Sequence, residues 1–203
     1  MKKIGKIGWI CLSFVIICVS IDLVTDKMQL RNDLIRLHVV ANSDSNEDQA
    51  IKLQVRDAVT ELLEPIMVGL DSKEQAYVYM KSNLKMIEDR ANQKLSELGI
   101  SQRAVVSLTQ EKFNTRHYDT FSLPSGVYDA LRVEIGEAAG RNWWCVVFPT
   151  LCLPAVSSEF QDTAVSAGFD DTLTNTLSRD NRYEIRFFLL DIFGRVENLF
   201  FRD

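Results

Sequence analysis

Hydrophobic and polar positions alternate from Leu34 to Ala41 (LIRLHVVA), and the run predicts a β-strand. Ile35, Leu37 and Val39 share one of its faces, while Arg36 and His38 share the other with Leu34 and Val40. The period then changes. Asn42-Ser43-Asp44-Ser45 reads as a turn whose last residue caps a helix, with Ser45 and Asp48 in capping-box spacing. Glu47 and Asp48 suit the positive end of that helix. Ile51, Val55, Ala58, Val59 and Leu62 follow at helical spacing, and Pro65 is expected to end the element.

A second capping box, Ser72 and Gln75, opens the next element, and Gly99 supplies its stop. Between them Ala76, Met80, Leu84, Ile87, Ala91, Leu95 and Leu98 recur at steps of three and four. One long amphipathic helix with a single buried stripe is expected; two alanines in the seam argue against a coiled coil. After Gly99 the pattern becomes strand-like over Ala104–Gln110, Ala130–Ile135 and Trp143–Phe148, with loops at 124–126 and 136–140. Both faces of Trp143–Phe148 are apolar, which predicts a central strand. At the C-terminus Ile185, Phe188, Leu189, Ile192, Val196, Leu199 and Phe200 fit one helix face, and Phe187, Leu190 and Phe201 fall opposite. A helix apolar on two sides is buried twice, meets a membrane surface or binds a partner. The expected fold is α+β: a single domain with a small, mostly antiparallel sheet packed by amphipathic helices.

Ahead of that domain lies a segment of a different kind. Lys2, Lys3 and Lys6 precede fifteen uncharged residues, Ile7 to Ile21, and Asp22 ends the run. This is the pattern of an export signal, short for a bilayer span of about 20 residues. Residues 1–26 are therefore read as signal peptide or signal anchor, with Cys18-Val19-Ser20 a tolerable cleavage site, and residues 27–203 as an extracytoplasmic domain.

Composition narrows the partners. The 23 Lys and Arg against 28 Asp and Glu give a net charge of −5, which argues against nucleic acid. Export places Cys145 and Cys152 where a disulfide persists, although two buried free thiols fit the sequence equally well.

Catalytic signals are weak. His38 and His117 are the two histidines, and no pair of His and Cys has the spacing of a zinc site. Cys145 with His117 as a nucleophile pair would make a secreted or anchored cysteine-dependent envelope hydrolase, but Cys145 sits in an apolar strand that disfavours a thiolate. Asp-Thr-Gly, Gly-x-Ser-x-Gly and phosphate-loop motifs are absent from the sequence. A polar cluster remains: Arg36 and His38 on one strand, Arg132 and Glu134 on another, beside the Asn42-Ser43-Asp44 turn. If those strands pair, the four charged or polar side chains form a cross-strand patch.

At these residues the sequence resembles the stage II sporulation protein R family. Arg36-Leu37-His38-Val39-Val40-Ala41-Asn42-Ser43-Asp44, then Asp48-Gln49, Lys52 and Val55-Arg56-Asp57, carry a first signature. Leu123-Pro124-Ser125-Gly126-Val127-Tyr128, Ala130-Leu131-Arg132-Val133 and Ile135-Gly136-Glu137 open a second. It runs on through Gly140, Asn142-Trp143-Trp144-Cys145-Val146, Phe148-Pro149 and Leu151-Cys152, with Thr150 where a second proline is expected. The resemblance implies a protein made in the forespore and exported into the space between the septal membranes. There it would activate a membrane-embedded aspartic protease that processes the pro-sigma-E factor, so the catalytic groups would be the partner's and no cofactor or metal would be needed. Contact with that protease is expected at Arg36, His38, Asn42, Ser43, Asp44 and Arg132, and at Phe187 and Leu190 of the C-terminal helix. Membrane contact would run through residues 7–21 if they stay uncleaved.

Overall fold

The computed structural model describes residues 28–117, 121–149 and 184–201, with isolated positions at 13, 14, 21, 25 and 177. Most of the export segment, Thr150 and Cys152 lie outside the described residues. Among those described, no helix is long and apolar enough to cross a membrane.

Residues 28–33 are helical and lead into β1 (Ile35–Val40). Then come α1 (Asn46–Met67), α2 (Lys73–Ser82), α3 (Leu84–Glu97), β2 (Ala104–Phe113) and the short strands β3 (Arg116–His117) and β4 (Ser122–Leu123). β5 (Gly126–Ile135), β6 (Asn142–Phe148) and α4 (Glu184–Phe200) complete the order. The main sheet runs β2-β5-β1-β6 and is mixed: β1 lies parallel to β5, while the β1–β6 and β2–β5 pairs are antiparallel.

The face holding Ile35, Leu37, Val39, Leu131, Val133 and Cys145 packs on α1, α2 and α3 and forms the larger core. The opposite face packs Phe113, Tyr128, Ala130 and Val146 with Leu30, Leu34, Phe121 and Leu123 into a second core. β1 is therefore buried along its whole length. β6 has both faces covered only from Cys145 to Phe148, with Asn142 and Trp143 exposed, and it lies at the edge of the sheet rather than in its centre; β1 and β5 are the central strands. The other edge is blunted by α3. Asn92 accepts from Ala104 N–H and donates to Ala104 C=O, both at 2.9 Å, and Glu88 accepts from Val106 N–H at 3.2 Å.

Two helix boundaries differ from expectation. The stretch predicted as one helix is broken at Asn83, whose side-chain amide donates to the Tyr79 carbonyl at 2.8 Å while its backbone leaves helical geometry (φ −120°, ψ 18°). Asparagine competes with the backbone for such bonds and favours helix ends. The buried stripe nevertheless continues through Ala76, Met80, Ile87, Ala91 and Leu95. α1 runs past Pro65 to Met67, because the carbonyl that Pro65 leaves without a donor belongs to exposed Glu61 in the last turns.

Candidate functional site

The first signature turn folds onto the β5–β6 loop of the second. Asp48 in α1 accepts from Asn42 Nδ2 at 2.9 Å and Ser43 Oγ at 2.5 Å. The Ser43 bond, then Asn42's, hold the Asp48 carboxyl below its ordinary pKa. Asn42 Oδ1 accepts from Glu137 N–H at 3.0 Å, and Asp44 accepts from Arg141 N–H at 2.7 Å. Lys52 donates to the Arg141 carbonyl at 2.9 Å, and burial lowers its pKa. Gly136 sits at φ +59°, and a β-carbon there would overlap Asn42 Oδ1. Asn42, Ser43 and Asp44 thus clamp two loops together, with their polar atoms largely engaged inside the chain.

Arg36, His38 and Arg132 come together on one sheet face, with His38 in register with Arg132. The strands pair and the cross-strand patch forms, but the partner contact expected at Arg36 and His38 is corrected, because Arg36 is 0% exposed and His38 4%. The guanidinium of Arg36 lies 4.0 Å from the Phe113 ring centroid and 5.2 Å from that of Tyr128. His38 stacks on Trp144 at 3.8 Å, and its Nδ1 donates to Glu111 at 2.5 Å. Glu111 accepts a second bond from Arg132 at 3.0 Å, and Arg132 also pairs with Glu134 at 2.7 Å. Burial pushes the Glu111 carboxyl up, but His38 and Arg132 together hold it below the usual carboxylate range. Glu111 was missed in the sequence, although its alternation with Phe113 along β2 points it to this face.

Cys145 is buried on the helical side of the sheet and is disulfide-bonded; Cys152 lies outside the described residues. A bonded sulfur offers no thiolate, which removes the nucleophile of the hydrolase reading. His117, its proposed base, is hydrogen-bonded to Ser122 Oγ at 2.8 Å. Among the described residues no group of three His, Cys, Asp or Glu is placed to hold a metal ion.

α4 corrects the expected orientation of its two faces. Leu190 is fully buried and Phe187 packs against the second core, so neither forms an outward face. The side turned to the domain is largely polar or small. Asp191 accepts from Ser125 N–H at 2.9 Å and from the Thr115 hydroxyl, and Ser125 Oγ donates to the Asp191 carbonyl at 2.8 Å. Asn198 donates to the Phe113 carbonyl at 3.0 Å, and Arg31 pairs with Glu197 at 3.5 Å. Burial raises the Asp191 pKa, and its bonds to Thr115, Ser125 and Arg195 outweigh that and lower it. The outward side carries Phe188, Ile192, Phe193, Val196, Leu199 and Phe200, from 40% exposed at Ile192 to 81% at Phe200. Asp191 was also missed; a lone carboxylate between Leu190 and Ile192 was its signal.

These features define an α+β protein with two clamped signature loops and an apolar helix face turned to solvent. The chain belongs to the stage II sporulation protein R family, whose model matches residues 31–158. It is similar to the stage II sporulation protein R of Bacillus subtilis (strain 168), 36% identical over 118 residues, which cover 58% of this chain and 53% of that protein. The chain thus matches about half of that relative's length. No solved structure matches it.

Proposed function

We propose that this protein is an exported signal of sporulation, made in the forespore, that activates a membrane-embedded aspartic protease and so triggers processing of the pro-sigma-E factor. Its site of action is the space between the septal membranes, reached through the N-terminal export segment either cleaved or kept as an anchor. The observation that carries the reading is family membership across residues 31–158. The bonded state of Cys145 supports it, because a signal tolerates a structural sulfur where a hydrolase needs a free one.

Physically, such a ligand acts by binding the active arrangement of its receptor better than the inactive one. Specific bonds brace the described part of this domain for that role. Both signature loops are locked to each other, and α4 is fastened to the domain by several specific bonds. A rigid ligand spends little of its binding energy on ordering itself.

The test is co-expression of the full chain, the protease and its precursor in a host that contains none of them. Precursor cleavage is expected only when all three are present. Cleavage without this chain, or none with it, overturns the assignment.

A further inference from the structure

From the outward face of α4 we infer that this protein pairs with a second copy of itself through that helix. Residues 188, 192, 196 and 200 are Phe, Ile, Val and Phe, an unbroken ridge at four-residue spacing, and Phe193 and Leu199 flank it. Ridges of this spacing interlock with a copy of themselves, the commonest way two helices pack.

Three observations favour a second copy as the occupant. The first is area. Six residues between 40% and 81% exposed offer roughly 600 Å² of apolar surface, since a fully exposed aromatic presents about 150–250 Å². Two such faces bury at most about 1,200 Å² together, which reaches the lower end of the range for stable protein interfaces.

The second is charge. A self-paired surface sets each group against its own copy, so any charge in its middle would be repelled. The arc from Phe188 to Phe193 and Phe200 carries none; Arg195 lies at its rim and is held by its own Asp191 at 2.8 Å. This matters in a chain with net charge −5, whose surfaces otherwise repel one another.

The third is the way α4 is held. Its inward side uses Asp191, Gly194 and Asn198 as well as Leu190, so the helix keeps its orientation without hiding its apolar side. An apolar arc fixed outward by specific bonds is an interface, not a loosely packed core helix. A two-fold pair presents every remaining surface twice. The pairing itself does not rest on the signalling role.

Cysteine cross-linking in the full, exported chain tests this, in a background where Cys11 and Cys18 are serine. Val196→Cys, near the middle of the face, is expected to give a disulfide-linked dimer on a non-reducing gel. Lys85→Cys, exposed on α3, is expected to give none. Adding Phe188→Ser and Leu199→Ser to Val196→Cys should abolish the dimer while leaving monomer in the same amount. The proposal is overturned if Val196→Cys stays monomeric, as it would were the face covered by residues 150–183 or by lipid. A dimer that survives the two serine changes overturns it as well.

Discussion

Gly194 of α4 lies so close to the Ser125 carbonyl that a β-carbon at position 194 would overlap the oxygen. That contact joins the C-terminal helix to the Leu123–Gly126 stretch of the second signature. It draws the helix backbone within reach of the signature loop, where Ser125 and Asp191 exchange their bonds.

Gly194→Ala is therefore expected to lift α4 from the sheet. The overlap is with backbone, so no side-chain rotation relieves it, and overpacking of this kind costs about 1–3 kcal/mol or more. Chemical denaturation should show the loss, with faster amide exchange across residues 187–200. A variant as stable as the parent would mean that α4 is not seated as described.

Asp191→Ala leaves Ser125 N–H and the Thr115 hydroxyl without an acceptor. Ser125 is buried, and leaving its N–H unmade costs about 1–3 kcal/mol; half-buried Thr115 turns its hydroxyl to water and adds less. Faster hydrogen exchange should appear in α4 and in residues 122–127, while α1 and α3 stay protected. Equal loss of protection throughout the chain would contradict a local anchoring role.

Glu111 predicts a pH dependence. Its carboxyl is held below its ordinary pKa in the folded chain, so the folded state binds fewer protons there than the unfolded one. The stabilisation is complete above the ordinary carboxylate pKa and disappears as pH falls through the lowered folded value. Glu111→Gln should cost about 1–3 kcal/mol at neutral pH. That difference should shrink on acidification, as the parent loses its own charge. Denaturation midpoints of the two chains at neutral and acid pH check this; a constant difference would refute it.

At the signature clamp, Gly136→Ala meets both a positive φ and the Asn42 side chain. A cost of about 1–3 kcal/mol is expected. Part of it should vanish in an Asn42→Ala background, where the overlapping oxygen is gone. Stability measured around the double-mutant cycle gives that coupling, and strict additivity would show that the two residues do not meet.

The strand parities were legible because alternation is local: Ile35, Leu37 and Val39 do face the helices, with Arg36 and His38 opposite. The Ser45 and Ser72 caps and the Gly99 stop were legible for the same reason. What covers Arg36 and His38 was not. Phe113, Tyr128 and Trp144 reach them from strands far along the chain, and polarity alone reads as exposure. α4 misled in the opposite direction. Its most apolar arc looked like the buried one, but the domain holds it by Asp191, Gly194 and Asn198, whose partners no helical pattern reveals. The break at Asn83 turns on one side-chain bond to a backbone carbonyl, invisible to hydrophobic spacing.

In the proposed function this chain triggers proteolysis without performing it. The most direct measurement is precursor cleavage in the co-expression host with Cys145→Ser and Cys152→Ser combined, which removes every sulfur nucleophile from residues 27–203. Circular dichroism on the same chain would show that it folds. Cleavage that persists, and that stops when the protease's own catalytic aspartate is replaced, is the predicted result. Loss of cleavage with a folded double variant would contradict the account.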